Sequence, residues 1–174
     1  MVFNAGASAL GKMMIRLSLD RQFTLISIVR REEQVKMLKE IGAKYVINTG
    51  EKGWKKKLAQ LTKKLEIRLA TDAISGRDAG LTLALMPAGS VLLNYGALSG
   101  KSVSGVGVSD LVFYEKSVRG FWLPNWMKTL NPLETQEYMK IIADDFAKGG
   151  RILGTQAIKE FKLEQFEEAV RYQY

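Results

Sequence analysis

Two short clusters of residues have the types and spacing to hold a phosphate-bearing ligand. The first is Gly6-Ala7-Ser8-Ala9-Leu10-Gly11, which keeps the outer glycines of a G-x-G-x-x-G turn and places serine at the middle position. In that pattern Gly6 lets the chain turn sharply after a strand, and Gly11 lets the next helix approach that strand closely. Ser8 keeps bulk low beside the phosphates while offering a hydroxyl. The second cluster is Arg30-Arg31, about twenty residues further on, where NAD-binding folds place an Asp or Glu against the ribose hydroxyls. Two guanidinium groups suit a 2′-phosphate instead, because arginine grips it with paired, charge-assisted hydrogen bonds. The cofactor expected is therefore NADP(H). The competing reading makes Arg30 and Arg31 solvated loop cations beside Glu32 and Glu33.

Such a turn works only between a strand and a helix, and the flanking sequence supplies both. Val2 to Asn4 reads as a strand, and Leu10, Met13, Met14 and Leu17 mark one face of a helix. Thr24 to Val29 is apolar and β-branched, as in a buried strand, and leads to a helix from Glu32 to Ile41 with Gly42 as its stop. The alternation continues with strand Tyr45 to Asn48, helix Trp54 to Leu65, strand Leu69 to Ala73, helix Asp78 to Met86 and strand Ser90 to Tyr95. Strands and helices in strict alternation predict an α/β fold, a doubly wound parallel sheet of the Rossmann type, forming one dinucleotide-binding domain over residues 1–174. A Gly- and Ser-rich loop follows from Gly96 to Gly107, then Leu111 to Tyr114 and a sixth strand, Ser117 to Leu123. Asn131, Pro132 and Glu134 form a helix-start signal whose helix ends at Gly149 and Gly150. Ile152 to Phe161 reads as extended, and Leu163 to Tyr172 as a last helix.

Composition narrows the chemistry. The chain has neither cysteine nor histidine, so thiolate catalysis, disulfides, imidazole acid/base chemistry and a Cys- or His-ligated metal fall outside its repertoire. No metal site is expected, and no apolar run is long enough to span a bilayer. The net charge of +8 favours anionic partners in general. Much of it lies in Lys52, Lys55, Lys56, Lys57, Lys63 and Lys64, interleaved with Trp54, Leu58, Leu61 and Leu65 at helical spacing. Those lysines read as the wet face of an amphipathic helix. Nucleic-acid binding ranks lowest among the readings, since no aromatic residues alternate with the lysines as a single-strand platform requires.

Several of these stretches together resemble the medium-chain dehydrogenase/reductase superfamily, and within it the zinc-free quinone reductases and the mitochondrial 2-enoyl thioester reductases. The resemblance rests on Asn4 to Gly11, Ile28-Val29-Arg30-Arg31, Leu38 to Ala43 leading into Val46-Ile47, Asn94 to Gly100, and above all Arg119-Gly120-Phe121-Trp122-Leu123. It implies that Ser8, Ala9, Leu10 and Gly11 meet the pyrophosphate and that Arg30 and Arg31 meet the 2′-phosphate. Tyr95, Gly96, Ala97 and Leu98, with Phe121, Trp122 and Leu123, would then line the nicotinamide end. An alternative for Phe121 and Trp122 is that they are core aromatics. The resemblance further implies a GroES-like substrate domain that supplies catalytic residues outside this chain, so catalytic residues are not assigned.

Two functions follow as expectations. One is the cofactor-binding part of an NADPH-dependent oxidoreductase that reduces an activated C=C bond, in an enoyl thioester or a quinone-like enone. The other is a non-catalytic accessory or structural subunit of a larger assembly that keeps the fold, so whether the chain is an enzyme stays open. Partners expected are the dinucleotide and another protein chain, or a second copy, covering an apolar face from Phe121 to Trp126. The compartment expected is mitochondrial, by resemblance, or cytoplasmic.

Overall fold

A computed structural model of the protein describes residues 1–155 and 159–172. Six parallel strands form one sheet: β1 (Val2–Phe3), β2 (Ile26–Val29), β3 (Tyr45–Asn48), β4 (Leu69–Asp72), β5 (Val91–Asn94) and β6 (Ser117–Gly120). Their spatial order is β3-β2-β1-β4-β5-β6. The direction of winding therefore reverses between β1 and β4, the switch point at which open α/β sheets leave a crevice beyond their strand ends.

Strands β1, β2 and β3 are buried on both faces while β6 is largely exposed, and the strand period of two sorts the side chains. Ile26 and Ile28 of β2 join Val2, Ile47, Ala70 and Leu92 on one face, where Leu58 of helix α3 (Trp54–Lys64) and Ala79 and Leu83 of helix α4 (Arg77–Ala84) close over them. Leu25 and Val29 join Phe3 and Val46 on the other face, beneath Ile15 of helix α1 (Ala9–Asp20) and Val35 and Leu38 of helix α2 (Glu32–Glu40). Leu38, Leu58 and Leu83 are wholly buried, and each such side chain contributes on the order of 1.5–3 kcal/mol relative to exposure. The lysines of α3 do face solvent around the buried Leu58.

Most predicted elements agree with the structure to within two residues at their starts. Val2 to Asn4 shortens to β1, and the strand predicted from Thr24 begins at Ile26. The sixth strand departs most, because it stops at Gly120 and not at Leu123. The Phe121 amide still donates to the Asn94 carbonyl at 2.8 Å. Trp122 then becomes the N-cap of a short helix α6 (Leu123–Met127). Pro124 explains this, since proline has no N–H for a strand ladder and its fixed φ suits a first helical turn. Leu111 to Tyr114 likewise overlaps a short helix, α5 (Val108–Val112).

Helix α7 (Pro132–Ala147) starts as its sequence signals: the Glu134 amide donates to Asn131 Oδ1 at 2.9 Å, and the Asn131 amide donates to Glu134 Oε2 at 2.8 Å. The extended reading of Ile152 to Phe161 is replaced by a turn at Arg151–Leu153. Its backbone explains the turn, because Ile152 and Leu153 donate to the Asp145 carboxylate at the end of α7. Residues 156–158 of that reading lie outside the described residues. The last helix, α8 (Phe166–Tyr172), follows a 3-10 turn at Leu163–Gln165.

One buried cation ties the β6 side of the sheet together. The Lys116 ammonium donates to the Leu83 and Ala84 carbonyls at the end of α4, both at 3.0 Å, and to Asp110 of α5 at 2.8 Å. All three of its protons have acceptors, which is what keeps a buried ammonium tolerable. Lys116→Met retains the stem but leaves Asp110 and the Ala84 carbonyl without their donor. It is expected to lower unfolding stability by about 3 kcal/mol, measured by urea denaturation.

Candidate functional site

The crevice at the switch point is built first from backbone. β1 ends at Phe3, and the chain turns through Ala5, which holds a left-handed φ of 52°, before α1 begins at Ala9. The residue taking the strained conformation is thus Ala5, and Gly6 is required for a different reason than the turn. A Cβ on Gly6 would lie 3.0 Å from Ser27 Cβ and 3.1 Å from the Ile28 carbonyl oxygen. Gly11 is more constrained still, since a Cβ there would meet the Gly6 carbonyl oxygen at 2.3 Å. The close approach of helix to strand expected at Gly11 is therefore present, and it places the start of α1 directly over the end of β1.

Ser8 caps that helix, its Oγ accepting from the Gly11 amide at 3.1 Å. The amides of Ala9 and Leu10 have no acceptor among the described residues. Free amides at a helix start, with no acidic residue in the first turn, make a ready receptor for an anion.

Beneath the crevice lies a polar network that sequence reasoning did not single out. Asp72, at the end of β4 and 1% exposed, accepts from Asn4 Nδ2, from Asn94 Nδ2 at 2.8 Å and from the amides of Ser75 at 2.9 Å and Ile74 at 3.3 Å. Asn4 Oδ1 in turn accepts from the Ala73 amide at 2.9 Å. Asn94 also donates to Ser75 Oγ, which donates to the Gly96 carbonyl, both at 2.8 Å. The ends of β1, β4 and β5 are thereby held in one register by groups that satisfy one another. The only sign of this in sequence was an Asp or Asn at the end of three separate strands.

Three depressions run together along these strand ends. One stretch of groove, about 400 Å³, is lined by Gly6, Ser8, Arg30, Gln34, Trp54 and Leu98 among others. It shares Ser8 and Leu98 with a shallow site that adds Leu10, Tyr95, Gly96 and Ala97. That site shares Tyr95, Gly96 and Ala97 with a cleft of about 700 Å³ bounded by Phe121, Trp122, Asn125 and Trp126. The result is one track from Arg30 to Trp126.

Most of the expected residues lie on this track, while four do not. Gly11 is buried below it, and Ala9 and Leu123 line none of its three parts. Arg31 is also off the track, its Nε placed 3.0 Å from Glu33 Oε1. Trp122 is 63% exposed and so is not a core aromatic, while Phe121 is half-buried; Trp126 is 37% exposed, and its ring meets those of Phe121 and Tyr138. The Tyr95 phenol is pushed up to about 12 by burial and by the nearby Asp72 carboxylate, and so stays neutral across the physiological range.

The sequence pattern described as zinc-binding dehydrogenase matches residues 9–144. Among curated proteins, the mitochondrial enoyl-[acyl-carrier-protein] reductase of Xenopus tropicalis is 29% identical over 97% of this chain and 49% of its own length. A protein of Mesorhizobium loti provisionally named NADPH:quinone reductase is 31% identical in structure-based comparison, with a TM-score of 0.75 over 85% of this chain and 43% of that one. The mitochondrial 2-enoyl thioester reductase heterodimer of Candida tropicalis matches with a TM-score of 0.80 at 24% identity, over 99% of this chain and 50% of that one, a likeness of fold. Its Etr1p component is also known in a complex with NADP and crotonyl-CoA. The chain spans about half the length of the curated relatives it matches. Zinc itself does not fit: the chain has no His or Cys, and no three potential metal ligands gather among the described residues.

The Asp72 network predicts a measurable cost. Asp72→Ala would leave the Asn4 carboxamide and two amides without their acceptor in a closed interior and remove one of those of Asn94, and urea unfolding is expected to show a loss of roughly 3 kcal/mol.

Proposed function

Because the chain belongs to the zinc-binding dehydrogenase family, we propose that it is a single dinucleotide-binding domain, residues 1–174, serving an NADPH-dependent oxidoreductase that reduces activated C=C bonds. The observation that carries this is the continuous track over the strand ends, cationic at Arg30, bordered by the helix-start amides of Ala9 and Leu10 that have no acceptor among the described residues, and aromatic at Phe121 and Trp122. The bound cofactor supplies the hydride. Ser8, Leu10 and the free amides would hold its pyrophosphate, and Gly6 and Gly11 would keep the backbone close enough to do so. Arg30, with Arg31 nearby, would meet the 2′-phosphate. Tyr95, Gly96, Ala97 and Leu98 would floor the nicotinamide end, with Phe121, Trp122 and Leu123 at its wall. An enoyl thioester or a quinone-like enone is the substrate class suggested by the relatives' names, which also suggest a mitochondrial location.

A second reading, an accessory subunit that binds the dinucleotide without turnover, draws on one feature of the cleft. Tyr95 is the only titratable residue lining it among the described residues, and its phenol is held near 12, poorly matched to proton transfer at neutral pH. On the first reading, the proton donor comes from protein outside this chain. The exposed aromatic and aliphatic face at Trp122, Leu123, Trp126 and Met127 is proposed as the surface that another chain or a second copy covers, since apolar patches of this composition mark interfaces.

Two experiments test these proposals. Calorimetric titration of the 174-residue chain is expected to show tighter binding of NADPH than of NADH, and Arg30→Ala with Arg31→Ala should cost roughly 1–3 kcal/mol toward NADPH. Equal affinity for the two cofactors would remove the 2′-phosphate assignment. In a steady-state NADPH oxidation assay, the same chain is expected to give no turnover with enoyl thioesters or quinones. Turnover that disappears on Gly11→Ala would instead place a complete catalytic site within these residues.

A further inference from the structure

Gln34 lines the groove without a role assigned to it above, yet it controls the end where Arg30 lies. It is the third residue of α2, and its Oε1 accepts from the Arg30 amide at 3.1 Å and the Arg31 amide at 3.2 Å. Both amides belong to the bend between β2 and α2, so one carboxamide oxygen fixes the backbone from which the two arginines project. That leaves Nε2, which has no acceptor among the described residues, on a side chain that lines the groove beside Arg30 and Thr49. Arg31 is drawn away by Glu33. The polar end of the groove therefore offers one guanidinium and one neutral carboxamide donor.

We propose that Gln34 is a specificity-determining residue for the dinucleotide, its Oε1 positioning Arg30 while its Nε2 donates to a phosphate on the 2′-oxygen of the adenosine ribose. The inference rests on the dinucleotide reading of the groove given above. Its chemistry is that of a choice between two side chains of one shape. Glutamate at the third position of a helix also accepts from amides at the helix start, so it would keep the bend. Its second oxygen would then face the groove as an acceptor, repelling a phosphate dianion and suiting a free ribose hydroxyl. Glutamine keeps the same bend and reverses that preference.

The test is the ratio of NADPH to NADH affinity, measured by calorimetry on the wild-type chain, Gln34→Glu and Gln34→Ala, with circular dichroism to establish that the helices persist. The ratio is expected to fall in the order wild type, Gln34→Ala, Gln34→Glu. The last should lose at least about tenfold in NADPH affinity, the scale of a hydrogen bond to a charged group, and little toward NADH. If Gln34 only holds the bend, Gln34→Glu matches wild type and Gln34→Ala alone is impaired, which overturns the proposal while leaving the dinucleotide reading intact. A wild-type chain that does not prefer NADPH overturns both together.

Discussion

The buried carboxylate of Asp72 is the constraint on which the rest of the site depends. A charge taken out of water is tolerable only if donors surround it, and here those donors come from the ends of two neighbouring strands and from the turn that follows Asp72 in its own. Asn4 and Asn94 reach it from the ends of β1 and β5, and the Ile74 and Ser75 amides reach it from the bend beyond β4. The requirement to satisfy one group thus sets the relative height of three strand ends. That height decides where Ala5 turns, where α1 begins and how the Tyr95 to Leu98 segment crosses the sheet. The same segment is tied to β4 by the Tyr95 and Leu98 amides, which donate to the Asp72 and Ala73 carbonyls at 2.9 and 3.0 Å.

Above this network the structure does the opposite and leaves polar groups open. Ser8 satisfies one amide at the start of α1, while those of Ala9 and Leu10, beside the groove, have no acceptor among the described residues. The contact between Gly11 and the Gly6 carbonyl makes this possible, because any side chain at Gly11 would lift the helix off the strand. Rigidity below and unsatisfied donors above belong to one design, since an anion receptor works only if its amides are already aimed before the anion arrives.

The β6 side is less complete in itself. Helices α5, α6 and α7 have no buried residues, and Trp122, Met127, Ile141 and Phe146 stand substantially in solvent. Lys116 and the Trp126 to Tyr138 ring contact hold these helices in place without covering their apolar faces. The contrast with α1 to α4, which bury theirs against the sheet, fits a region whose packing is finished by another surface.

Local pattern carried most of the architecture. The alternation of strand and helix, the wet lysine face of α3 and the Asn131 to Glu134 helix start were all readable from residue spacing, because period and capping are properties of neighbours in the chain. The glycine turn and Arg30 were readable for the same reason. Tertiary structure decided what the groove contains. Asn4 and Asp72 are separated by 68 residues, and nothing in either segment alone indicates that their side chains meet. Arg30 and Arg31 are equivalent in sequence, yet a local ion pair with Glu33 takes Arg31 away and leaves Gln34 in the lining. The end of β6 was set by Pro124, whose effect on the ladder emerges only when β6 pairs with β5 as far as Phe121. Sequence determined which elements form and which turn leaves helix-start amides without acceptors, through local sterics and periodicity. The fold alone decided which side chains face that turn, because strand ends distant in sequence converge there only after the sheet has assembled.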